Sequence, residues 1–95
     1  MNLTKEQLSG LEDFAYNLIP INVMAVLMEV DALELRSDIE TAGSKAHVAY
    51  YKGYGKMLME TRKSIIRSAQ NGSNPAQMAL LEFIRQFEAD NPSHL

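Results

Sequence analysis

The sequence predicts an all-α protein: an N-terminal three-helix, helix-turn-helix-like unit over residues 1–43, then a long αα-hairpin over residues 44–95. Three observations carry that prediction. Apolar residues recur at spacings of three and four, and no alternation of period two is long enough for a strand. Residues that cap helix N-termini stand at the head of most of these periodic runs. A chain of 95 residues, 46% apolar and 22% charged, has the length and composition of one ordinary globular domain.

The elements follow in order. Thr4 and Gln7 have the spacing of a capping box, with Leu3 and Leu8 placed as a hydrophobic staple. Leu8, Leu11, Phe14, Ala15 and Leu18 then share one side of a helix that Pro20 ends or redirects. Asn22 is the expected cap of a short second helix through Met28, with Val23, Met24, Val26 and Leu27 mostly buried. Asp31 and Glu34 form a second capping box, flanked by the staple pair Val30 and Leu35. The third helix is expected to bury Ala32, Leu35, Ile39 and Ala42, with Gly43 as its left-handed stop.

The fourth helix reads as a long one, from a cap at Ser44 to Gln70, where Asn71-Gly72 ends it. About 27 residues at 1.5 Å each reach roughly 40 Å, whereas a compact domain of this length is only about 32 Å across. A continuous helix therefore projects beyond the globule; a break at Gly53 or Gly55 would fold it back instead. Asn74 is the expected cap of the fifth helix, with Pro75 at its first position. That helix sets Leu80, Phe83, Ile84 and Phe87 on one face and ends near Asp90.

Charge is segregated along the chain. Residues 1–42 hold two basic and eight acidic side chains, whereas residues 43–72 hold six basic and one acidic. On the wheel of the fourth helix, Lys45, Lys52, Lys56, Lys63 and Arg67 fall in one stripe. Such a stripe suits a phosphate backbone, an acidic N-terminal surface of the same or a neighbouring chain, or simply a solvated face. Tyr51, Tyr54, Leu58, Ile65 and Ala69 form a separate apolar stripe, and Arg62 lies within it. A cation in that position calls for a partner, with Glu82, Glu88 or an acid of a neighbouring chain as the candidates. Tyr51, Tyr54, Leu58, Arg62, Ile65, Phe83 and Phe87 are the expected contacts between copies in a homo-oligomer.

Several function classes fall away. Without cysteine there is neither a disulfide framework nor a thiolate metal site. Met1 to Lys5 begin no signal-peptide pattern, and the apolar stretch from Leu18 to Val30 is too short and too interrupted to cross a membrane. The expectation is a soluble, cytoplasmic protein with no membrane partner. Gly53-Tyr54-Gly55-Lys56 lacks the spacing and the following Ser or Thr of a phosphate loop. His47 and His94 have no acids at ligand spacing, so no metal site is expected. The chain reads as a binding protein with neither catalytic residues nor cofactor.

The second and third helices have the pattern of a helix-turn-helix, with Ala25 as the small residue and Met24, Met28, Val30 and Leu35 as the apolar positions. Glu29 stands where a glycine commonly makes the turn, and the outer face of the third helix is largely acidic. Arg36, Ser37 and Thr41 are its candidate DNA contacts.

Ala49-Tyr50-Tyr51-Lys52-Gly53, then Arg62, Ala69-Gln70-Asn71-Gly72-Ser73, Ala76 and Leu80-Leu81 together resemble the small terminase subunits of tailed bacteriophages and prophages. The similarity in order extends over nearly the whole chain. It implies a non-catalytic DNA-packaging protein that assembles into a ring through its hairpins in the bacterial host cell. Such a protein binds double-stranded viral DNA and regulates a separate large subunit, the packaging ATPase and nuclease. Lys45, Lys52, Lys56, Lys63 and Arg67 are then the first candidates for DNA contact. Two other classes stay open: a small dimeric helix-turn-helix transcriptional regulator, and a helical protein–protein adaptor that does not bind DNA.

Overall fold

The computed structural model describes residues 1–91, which form five helices and no strand. They are α1 (Lys5–Tyr16), α2 (Ile21–Met28), α3 (Ala32–Glu40), α4 (Lys45–Gln70) and α5 (Asn74–Asp90). No helix among the described residues is long and apolar enough to cross a membrane. The chain divides into two compact units, Met1–Leu58 and Met59–Leu95, and α4 contributes to both.

Helix starts follow the capping chemistry, with two shifts of register. The Gln7 N–H donates to Thr4 Oγ1 at 3.1 Å and the Thr4 N–H to Gln7 Oε1 at 2.9 Å, so α1 begins with a complete capping box. Asp31 Oδ2 accepts the Glu34 N–H at 3.0 Å at the head of α3. Asn22 does not cap α2. Pro20 holds that position without a side-chain bond, and Asn22 lies inside the helix, where its Oδ1 accepts from Arg36 Nη2 at 3.5 Å. The cap of α5 is Ser73 rather than Asn74, and Gln77 Nε2 donates to the Ala69 carbonyl at 3.1 Å, closing the end of α4.

Three helices end on the same hydrogen-bond pattern. At α1 the Ile19 N–H donates to Phe14 O and Leu18 N–H to Ala15 O; at α2 Val30 donates to Ala25 and Glu29 to Val26. At α4 Ser73 donates to Ser68 and Gly72 to Ala69. These crossed bonds need a left-handed residue just past the helix. Gly72 supplies it at φ 93°, but Leu18 (φ 59°) and Glu29 (φ 58°) adopt it with a side chain in place. The turn between α2 and α3 therefore forms without a glycine. The carbonyls at the end of α3 are met by side chains: Thr41 Oγ1 donates to Ser37 O at 2.8 Å, and Ser44 Oγ to Asp38 O at 2.6 Å. His47 Nδ1 donates to Ile39 O at 2.7 Å.

The core of the first unit is Leu11 and Ala15 of α1, Met24 and Ala25 of α2, Leu35 and Ile39 of α3, and Ala46 of α4. Three expectations fail here, the first at Leu18, which lies past the end of α1 and is 57% exposed because it takes the left-handed turn. Val23, Val26 and Leu27 are 46%, 76% and 58% exposed, because α2 turns Met24 and Ala25 inward and every other position outward or to the margin. Ala42 lies beyond the end of α3 and is exposed.

α4 continues unbroken through both glycines, and they differ in kind. A Cβ on Gly53 would overlap the Glu12 carbonyl oxygen and stand 2.8 Å from its carbon, whereas one on Gly55 would meet nothing within 4 Å. Gly53 is the point where α4 rests on the backbone of α1. Gly53→Ala is expected to lower unfolding stability by about 2–3 kcal/mol through forced separation of the two helices. Gly55→Ala should raise it by about 0.5–1 kcal/mol by removing backbone freedom, and urea unfolding midpoints compare the two directly. Equal losses at both positions would contradict the close approach. Glu29→Gly should gain up to about 1 kcal/mol in the same assay, since glycine carries no left-handed penalty.

Candidate functional site

In the first unit, the backbone packing at Gly53 sets the orientation of α4. With Ala46 and Gly53 turned inward, Lys45, Val48, Lys52, Gly55 and Lys56 are turned out. Lys45 and Lys52 are exposed, as the stripe requires. Lys56 differs from them: its Nζ lies 3.0 Å from Glu12 Oε2, with 55% and 28% of the two side chains exposed. That lysine docks on the acidic N-terminal part of its own chain, one of the expectations for the stripe. Lys63 and Arg67, in the second unit, are exposed.

The α3 candidates are less available. Arg36 is exposed but reaches back to Asn22, and the Thr41 hydroxyl is bound to the Ser37 carbonyl. Ser37 is exposed beside Glu34 and Glu40, which are exposed too. A phosphate approaching this surface meets repulsion from carboxylates.

The aromatic residues of α4 split in role. Tyr50 and Tyr54 are half-buried against the core of the first unit and stack at 6.4 Å between centroids. Tyr54 thus serves its own unit. Tyr51 is 51% exposed and holds its ring 4.7 Å from His47 and 5.1 Å from Tyr50. His47 is a packing and capping residue, a role that its spacing in the sequence does not reveal. Gly53-Tyr54-Gly55-Lys56 lies within α4 and offers no phosphate loop. No group of three or more His, Cys, Asp or Glu placed to hold a metal occurs among the described residues, and His94 lies outside them.

No family model, curated protein or solved structure matches the chain. The functional reading therefore rests on residues and geometry.

In the second unit the buried side chains, among the described residues, are Ala69 and Ala76. Arg62 does not pair with Glu82, whose carboxylate is 2.8 Å from Arg85. Its guanidinium lies 4.3 Å over the Phe83 ring and donates to Gln86 Oε1 at 3.4 Å. A ring face and an amide replace the expected acid, which keeps the cation at an apolar position. Arg62, Ile66, Phe83, Ile84, Phe87 and Glu88 line an open groove of about 330 Å³. Ile66, Leu81, Ile84 and Phe87 remain 36%, 58%, 45% and 51% exposed, while Leu58 and Ile65 of α4 are half-buried.

The Lys56–Glu12 ion pair is open to solvent, so a double-mutant cycle with Lys56→Ala and Glu12→Ala should give a coupling of about 0.2–1 kcal/mol. Near 1 M salt the coupling should fall toward zero. A larger, salt-insensitive value would make this ion pair a structural anchor instead of a surface contact.

Proposed function

We propose that the chain is a non-catalytic, self-associating DNA-binding protein that works as small terminase subunits do, regulating a separate packaging ATPase and nuclease. The observation that carries the reading is the uncovered apolar face of the second unit. Two helices that bury two alanines while leaving Ile66, Leu81, Ile84 and Phe87 in water are incomplete as a folding unit. A helical hairpin of this kind is completed by further copies of itself, with Phe83, Phe87, Ile65, Leu58 and Arg62 at or beneath the contact, and Tyr51 as a further candidate from the first unit.

DNA binding is assigned to the exposed cations of α4. Lys45 and Lys52 in one unit, and Lys63 and Arg67 in the other, are exposed and enter no ion pair among the described residues. Lys56 is a secondary contact because Glu12 competes for it. Arg36, Ser37 and Thr41 contribute least, given the carboxylates of α3 and the internal bonds of Arg36 and Thr41. One observation favours a second reading, a small dimeric helix-turn-helix regulator: the short α2–α3 turn closes around a left-handed Glu29, where that motif often has a glycine.

Light scattering distinguishes the two. The packaging reading expects a closed assembly of many copies, reduced in mass by Ile84→Asp and Phe87→Asp; a dimer that binds a single operator sequence would favour the regulator. For DNA, replacing Lys45, Lys52, Lys63 and Arg67 together by Glu should weaken duplex binding at least tenfold. The slope of log affinity against log salt should shrink by about 0.9 for each phosphate that is no longer neutralised. Arg36→Ala should change neither quantity appreciably. An unaltered slope in the fourfold variant would remove α4 as the DNA surface.

A further inference from the structure

The outward face of α2 plays no part in the reading above. Val23, Val26 and Leu27 are exposed along one short helix, and Leu33, in the first turn of α3, is 77% exposed. Between α1 and α2 runs a groove of about 270 Å³, lined by Gly10 and Phe14 on one side, Leu27 and Met28 on the other, with Glu6 and Gln7 at its edge. Gly10 keeps the groove open: a Cβ there would meet only the Phe14 ring, at 3.9 Å. Met24 and Ala25 anchor α2 in the core, the crossed bonds at Glu29 fix its end, and Arg36 ties α3 to Asn22.

Exposed carboxylates outnumber cations around this apolar surface. Residues 1–42 carry eight carboxylates and two cations, and Glu6, Glu29, Asp31 and Glu34 are exposed. Of the two cations, Arg36 is the one held to Asn22. Nucleic acid and anionic lipid are repelled by such a rim, whereas an apolar segment bordered by cations gains at both its apolar and its charged atoms. Val23 and Leu27 are one turn apart on α2, and Leu27 lines the groove, the spacing at which a second helix is gripped.

We propose that the outer face of α2, with the groove it forms against α1, docks an amphipathic helix of another protein whose apolar stripe is bordered by lysine or arginine. The contact uses Val23, Val26 and Leu27 for burial and Glu6, Glu29 and Glu34 for charge. It shares no residue with the apolar face of the second unit or with the exposed lysines of α4, so self-association and DNA binding do not decide it.

The test uses the whole chain and two labelled model peptides of about 18 residues, or five turns. Both carry leucines at spacings of three and four; one has lysines on the flanks and the other glutamates. Fluorescence anisotropy should report binding of the lysine peptide and none of the glutamate peptide. Val26→Asp, Leu27→Asp and Gly10→Leu should each weaken the lysine peptide at least tenfold, and Val48→Asp on α4 should leave it unchanged. The aspartate variants are informative because they add negative charge: simple attraction of a cationic peptide would strengthen in them. These side chains are exposed, and circular dichroism of each variant checks that the helices persist. Similar affinity for both peptides, no binding of either, or full binding by Val26→Asp would each overturn the proposal.

Discussion

The arrangement of the first unit depends on the missing side chain at Gly53. Where α4 crosses α1, its backbone lies against the Glu12 carbonyl, so no Cβ fits between them. That close approach fixes the rotation of α4 about its own axis and hence which of its residues reach solvent. Ala46 and Gly53 fill the inner line, Tyr50 and Tyr54 close its margin, and Lys45, Val48 and Lys52 are carried outward. The adjoining Lys56–Glu12 ion pair adds little energy because both groups meet water; steric fit, not charge, positions the helix.

Much of this was legible in the sequence because caps and periodicity are local signals. The Thr4–Gln7 box, the Asp31 cap, the long α4 and the short turn before α5 follow from residues within a few positions of one another. The start of α5 was misplaced by one residue for a plain reason: Ser73 and Asn74 are both good caps, and only backbone geometry chooses Ser73. Asn22 looked like a cap but serves as a partner for Arg36, across 14 positions of sequence. The exposure of Val23, Val26 and Leu27 could not be read, because α2 is apolar nearly all round and its periodicity names no inner side. Glu29 carried the opposite problem. The turn is set by crossed hydrogen bonds, so the absence of glycine said nothing about the absence of the turn.

Of the candidate site residues, the cations of the α4 stripe are exposed, but the sequence could not separate Lys56 from the rest, since Glu12 approaches only after folding. It flagged Arg62 as a cation that needs support and named acids for that role. The aromatic ring of Phe83 and the amide of Gln86 do the supporting instead. Such an arrangement keeps the charge solvated along its edge while its face covers a ring, which suits a margin between apolar and aqueous surface.

The inner and outer lines of α4 have a consequence for how this chain would drift under random substitution. At Gly53 an added Cβ meets the Glu12 backbone and Ala46 is wholly buried, while Val48, Lys52 and Gly55 are open to water. Tolerance along the helix should therefore rise and fall with the period of the helix itself, and the two glycines, two residues apart, should stand at opposite extremes. A catalogue of surviving variants would record the orientation of α4 as a phase, recoverable without reference to coordinates.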